Sequence, residues 1–253
     1  MISLIFSFLY LAPKALLIAA AVAPAAWLLV YVYKKDRLEK ESRGMLGRLV
    51  LWGVLSTILA TVTESVGSAL LTAILPGGAA DERYAFWMYF VVVALSEEGF
   101  KYLVLHLRTW RAAEFNCQFD GVVYATFVSL GFALWENIGY VLMYGFGAAL
   151  MRAITAIPGH ASFGVFMGAC YGLARRCENS GEHGRSVLWR ILAVLLPAFI
   201  HGCYDYIATS ETENITLTFV VFVAAVFITA FVLVKKLSDK DGYISNSGAG
   251  WYR

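Results

Sequence analysis

Charge is scarce in this chain. Asp, Glu, Lys and Arg together make up 15% of its 253 residues, where a soluble domain carries about a quarter. Polar stretches long enough to form a separate soluble domain are also missing, so residues 1–253 read as one domain. The four cysteines (Cys117, Cys170, Cys177, Cys203) include no C-x-x-C pair. Most fall in or beside apolar runs, which fits small buried hydrophobes rather than a disulfide framework. Lys14 follows an apolar start and no small-residue cleavage site comes after a short apolar run, so no cleaved signal peptide is expected. The net charge of +2 gives no footprint for nucleic acid. Three signatures of hydrolytic sites are absent as well: no H-E-x-x-H for zinc, no G-x-S-x-G serine elbow, and no G-x-G-D partner for Tyr204-Asp205.

What is present is apolar sequence. Hydrophobic residues reach 60% and mean hydropathy is +0.67. The excess lies in runs of about 20 residues, the length of a helix crossing the hydrocarbon core. The expected architecture is an all-α integral membrane protein, multi-pass in the cell membrane, with about seven transmembrane helices near residues 15–33, 46–75, 84–107, 116–146, 153–174, 188–208 and 215–234. Pro76-Gly77-Gly78 marks a turn after the second run, and residues 147–152 read as a tight connection between the fourth and fifth. Lys and Arg concentrate after runs one, three, five and seven, including Arg253 near the end. Glu211 and its neighbours, between runs six and seven, carry none. The positive-inside rule then places the N-terminus out and the C-terminus in.

Several runs carry polar groups that lipid does not tolerate, and such groups ordinarily mark function. The third holds Glu97, Glu98 and Lys101. Glu97 and Lys101 are four apart and share a helix face; Glu98 points about 100° away, which makes Glu97 the expected partner of Lys101 and leaves Glu98 freer. One Glu–Lys pair would suffice to fix helix packing, so the second glutamate is surplus to a structural role. The fourth run holds Glu136 and Asn137; Asp120 lies about 160° round the helix from Glu136 and suits an N-terminal dipole role as well as a functional one. The fifth has His160 at the head of a stripe with Gly164, Gly168 and Gly172, small residues that let helices approach closely, in a dimer or within the bundle. In the sixth, His201 and Asp205 are four apart, a spacing at which a carboxylate orients an imidazole. Glu64 in the second run lines a cavity or pairs with Lys101.

Depth ties these groups together. At 1.5 Å per residue, Glu97 lies about 18 Å from the outer end of its run, and Glu136, His160 and His201 roughly 10–15 Å from the same side. The expectation is one polar site buried in the outer half of the bundle.

Taken in order, Glu97-Glu98-x-x-Lys101, Phe132-x-x-x-Glu136-Asn137, His160 and His201-x-x-x-Asp205 resemble the motif series of the PrsW family of intramembrane proteases, relatives of the type II CAAX prenyl endopeptidases. Asp120-Gly121 and Tyr33-Lys34-Lys35-Asp36-Arg37 fit the same series, and the resemblance spans residues 33–205. It implies a multi-helix membrane endopeptidase that cuts a single-pass membrane protein, an anti-sigma factor in the family's best-known role, on the extracytoplasmic side.

Two schemes for activating water suit these residues. In one, Glu136, His160 and His201 hold Zn²⁺ and Glu97 or Glu98 is the base. In the other no metal is needed: a glutamate of the pair activates water beside a histidine, with His201 and Asp205 positioning the substrate carbonyl. The family is classed with metallopeptidases, whereas the prenyl endopeptidases resemble metal-independent glutamate proteases. The competing functions are a non-catalytic scaffold of the same superfamily, which would have lost the glutamates, and an ion or proton carrier, which would need polar groups through the inner half too.

Overall fold

The computed structural model describes residues 2–210 and 213–244, with side chains from residue 13 onward; Glu211 and Arg253 lie outside the described residues. Every named element is helical: α1 (Ile2–Lys35), α2 (Arg43–Ile74), α3 (Tyr84–Trp87), α4 (Ala94–Thr109), α5 (Asp120–Tyr144), α6 (Phe146–Ile154), α7 (Ala156–Asn179), α8 (His183–Ala208) and α9 (Ile215–Asp239). Six stretches are long and apolar enough to cross a membrane: Pro13–Lys35, Arg43–Ile74, Asp120–Tyr144, Phe146–Asn179, His183–Ala208 and Ile215–Asp239. This is a multi-pass membrane protein.

The expected third span differs in kind. Residues 84–109 run on without a break, but as α3, a π-helical segment Met88–Val93 and then α4. A π segment inserts an extra residue per turn, which rotates the α4 side chains relative to their places on a regular helix. Glu97 and Glu98 come immediately after it. The segment is pressed against α8 at Gly202, where a Cβ would stand 2.5 Å from Cδ1 of Phe90. A glycine there lets α8 approach the π segment closely, one residue from His201.

The connection at 147–152 is also more than a turn. Gly145, at φ +78°, ends α5, and α6 begins at once, with Phe146, Leu150 and Ile154 exposed on one face at four-residue spacing. Arg152 points the other way, toward α5. At the far end, α5 begins at Asp120 rather than near Asn116, because Asp120 Oδ2 accepts from the backbone N–H groups of Asn116 (3.0 Å) and Cys117 (2.7 Å) and holds 116–119 as a turn. That is a structural role, about 24 Å along α5 from Glu136.

Helices α5 and α7 form the buried centre, and α1 and α9 lie on the periphery. The glycine stripe of α7 explains how the centre closes. A Cβ on Gly168 would stand 2.4 Å from the Gly121 carbonyl oxygen, and one on Gly172 would stand 2.2 Å from that of Gln118. The stripe is therefore spent inside the bundle, backbone against backbone. It brings His160, one turn further along, against α5, where Ser129 Oγ donates to the His160 carbonyl at 2.7 Å. All four cysteines are unbridged.

Candidate active site

The spacing on α4 puts three ionisable side chains on its inner side, and the structure buries all of them: Glu97, Glu98 and Lys101 are 4%, 0% and 0% exposed. Lys101 is the hub. Its ammonium has three N–H donors and three acceptors around it: Glu98 Oε1 at 2.7 Å, Glu97 Oε2 at 3.1 Å and His160 Nδ1 at 3.1 Å. The ring of Phe132 lies beneath it, 4.1 Å from ring centre to nitrogen. Lysine thus engages both glutamates, with the shorter contact to Glu98. The expected division, Glu97 paired and Glu98 freer, does not hold, because i→i+3 and i→i+4 neighbours both reach one long side chain.

From Lys101 the network runs two ways. Since His160 Nδ1 accepts from the ammonium, its Nε2 carries the proton and donates to Glu136 Oε2 at 2.9 Å. Glu136 Oε2 also accepts from Arg152 Nη2 at 3.0 Å, while Arg152 Nε donates to Asn137 Oδ1 at 3.0 Å. Asn137 in turn donates to the Ala21 carbonyl of α1 at 2.7 Å. On the other side His201 Nδ1 faces Glu98 Oε1 at 3.0 Å and, less closely, Glu97 Oε2 at 3.9 Å. His201 Nε2 faces Asp205 Oδ2 at 3.4 Å. Phe163 stacks on the His201 ring with centroids 4.7 Å apart, fixing its plane.

Glu97, Glu98, Lys101, Glu136, Asn137, His160, His201 and Asp205 therefore lie in one connected network. Glu64 of α2 is partly buried and lies within electrostatic reach of Glu136, Lys101, His201 and Asp205. Arg152 was not legible as a member: in sequence it is one more basic residue in a connection, and only the α6 turn swings it onto Glu136.

The donors that converge are not the set expected for zinc. Among the described residues, Glu97, Glu98 and His201 present ligand atoms within 4.8 Å of one another, whereas Glu136 and His160 are engaged with each other and with Arg152 and Lys101. The reason is tertiary: α7 sets His160 between Lys101 and Glu136, α8 sets His201 against the two glutamates, and the two rings meet edge to face with centroids 5.5 Å apart. Two observations fit a divalent cation at the Glu97–Glu98–His201 group. Oxygen and imidazole donors with an open position suit zinc, and Glu98 Oε2 is buried without a hydrogen-bond partner. The charge count agrees. Four carboxylates (Glu97, Glu98, Glu136, Asp205), with Glu64 nearby, share the site with two fixed cations, Lys101 and Arg152, and with His160 and His201, so a bound cation would favour their ionised forms in a setting where unbalanced charge is costly.

Known proteins resemble this chain over most of its length. A family model described as "PrsW family intramembrane metalloprotease" matches residues 41–233. Protease PrsW of Geobacillus kaustophilus is 36% identical over 195 residues, covering 77% of this chain and 80% of its own. Protease PrsW of Bacillus subtilis is 34% identical over 208 residues (81% and 89%), and that of Clostridioides difficile 29% over 210 (80% and 83%). No solved structure matches.

Proposed function

Because the chain belongs to the PrsW family of intramembrane proteases, we propose that its buried network hydrolyses a peptide bond of a membrane protein with Glu98 handling the attacking water. The observation that carries this is an orphaned buried atom of the site, without a partner among the described residues. Glu98 Oε1 is pinned by Lys101 and His201, and Oε2 is buried with no partner. An unpaired carboxylate oxygen away from water costs free energy and is retained where a substrate or water is to meet it.

In the metal-free form, Oε2 takes a proton from water as the water oxygen bonds to the scissile carbonyl carbon. The carbonyl π electrons move to its oxygen, and the positive charge of the Lys101 ammonium, 2.7 Å from Glu98, stabilises that oxyanion electrostatically. When the tetrahedral centre collapses, the C–N bond breaks and the leaving nitrogen receives the proton from Glu98. Asp205 holds His201 in orientation, Glu136 holds His160, and His160 holds Lys101. In the metal form, Glu97, Glu98 and His201 would hold Zn²⁺, which would supply a Lewis acid for the scissile carbonyl, and Lys101 would give up contacts with the two carboxylates.

The bundle carries this site as a single domain, with the 84–109 helix as the seventh span, the N-terminus out, the C-terminus in, and the site in the outer half. The distribution of Lys and Arg among the loops supports that orientation. The substrate is a single-pass membrane protein recognised through its own transmembrane or juxtamembrane segment, and an anti-sigma factor fits the family resemblance.

The test is to replace the native chain by Glu98→Ala in its host and identify membrane proteins that persist at full length. One or a few single-pass proteins should accumulate; an unchanged membrane proteome would remove the assignment. Elemental analysis of active purified protein separates the two forms. Zinc lost together with activity on chelation supports the metal form, and full activity without metal supports the other.

A further inference from the structure

At the opposite end of the bundle from the exit of α5 into α6, a cavity of about 680 Å³ opens between the end of α4, the end of α7 and the start of α8. Three arginines converge on it from three segments: Arg111 beyond α4, Arg175 on α7 and Arg190 on α8. Most other basic residues of this end are engaged elsewhere. Arg108 stacks on Trp52 at 3.6 Å, Arg176 reaches Gln118, and Arg185 pairs with Glu182 at 2.6 Å. The three cavity arginines form no ion pair among the described residues. The one carboxylate in the wall, Glu178, is held by His183 at 3.0 Å, so the cavity keeps a surplus of positive charge.

Its interior is built, with unused hydrogen-bonding capacity. Trp110 forms an aromatic floor under both Arg175 (5.7 Å) and Arg190 (5.2 Å). Arg175 spends Nε on the Phe115 carbonyl at 3.4 Å, which fixes the guanidinium and leaves its terminal nitrogens available. Two nitrogens are buried without a partner: Arg190 Nε, which can only donate, and His106 Nδ1. A guanidinium fork matches phosphate oxygens bidentately, and an orphaned buried donor is a cost that such an anion removes. The wall continues into an apolar face. Leu107 lines the cavity and is exposed, Leu103 lies one turn along α4, and Leu188, Ile191 and Leu195 are exposed along α8.

We propose that this cavity binds a phosphate-ester anion, and that the anion is the headgroup of an anionic phospholipid whose acyl chains lie along the exposed leucines of α4 and α8. The basic end of the bundle is the one that the positive-inside rule sets against the cytoplasmic leaflet, where anionic lipids carry the surface potential.

The test uses the full chain purified in a neutral detergent and equilibrated with mixed micelles of phosphatidylglycerol and phosphatidylcholine, with bound lipid measured by native mass spectrometry. Phosphatidylglycerol should be retained about tenfold or more over phosphatidylcholine. Arg175→Ala and Arg190→Ala should each reduce that preference about fivefold, and Arg185→Ala should leave it unchanged. A parallel arm adds inorganic phosphate alone and tracks thermal unfolding. If phosphate stabilises wild type but not the Arg175 and Arg190 variants, while the lipids are bound without preference, the anion site stands and its ligand is soluble. Wild-type protein with neither response overturns the proposal, whatever the folding of the variants. So does a lipid preference that survives both substitutions.

Discussion

His201 Nδ1 stands 3.0 Å from Glu98 Oε1 across 103 residues of chain, and it does so because α8 carries a glycine where it meets the π segment that precedes Glu98. That contact sets the position of the orphaned oxygen on the same carboxylate.

The first prediction concerns that approach. Gly202→Ala adds a Cβ 2.5 Å from the Phe90 ring, so α8 or the ring beside it must shift. Overpacking of this kind costs about 1–3 kcal/mol, and the Glu98–His201 contact should lengthen, lowering cleavage more than stability. Phe90→Ala in the same chain makes room again. Thermal unfolding and cleavage rate of the single and double variants measure both effects; an unimpaired Gly202→Ala protein removes this explanation of how the site is set.

Lys101 has a separate signature. It is wholly buried and compensates two carboxylates. Lys101→Met leaves both without a cation, and breaking a buried pair from one side costs about 3–5 kcal/mol. The melting temperature in detergent should fall sharply and recover in part when Glu97→Gln is added. A single variant as stable as wild type would show that the glutamates are balanced by other means.

A pH effect arises away from the membrane-spanning segments, in the loop joining α1 and α2. Burial, reinforced by the nearby charge of Asp36, pushes the Glu41 carboxyl up to about 7 although the Tyr124 hydroxyl pulls the other way. An unfolded glutamate titrates near about 4.3. Between those values the folded chain keeps a proton that the unfolded chain has lost, so the stabilisation is fully present below about pH 4.3 and is lost as pH rises through 7. Unfolding midpoints should therefore decline from pH 5 to pH 8, and Glu41→Gln should flatten that part of the decline. The same slope in the variant would assign it to another group.

Much of the fold and site was legible in the sequence for a physical reason. A membrane helix must satisfy its backbone internally and present about 20 apolar residues, so runs such as 215–234 declare themselves, and an acid among them declares itself by its cost. Glu97, Glu98, His160 and His201 stood out on that basis. What was not legible depends on rotation and reach. Whether Lys101 takes Glu97 or both glutamates is decided by side-chain geometry at i→i+3 and i→i+4, which spacing alone does not separate. That His201 joins the two glutamates while His160 turns to Glu136 depends on how α7 and α8 are rotated against α4. The π segment at Met88–Val93 and the capture of Glu136 by Arg152 depend on contacts with α8 and α6 that no local pattern encodes.

The central claim is that Glu98 meets the attacking water. The direct measurement is the cleavage rate of a single-pass membrane substrate co-reconstituted with wild-type or Glu98→Gln protein, with folding checked by circular dichroism and thermal unfolding. The account predicts that Glu98→Gln lowers the rate by about 10²–10⁴-fold while the helical bundle stays folded. A folded Glu98→Gln protein that cleaves within a few-fold of wild type would contradict it.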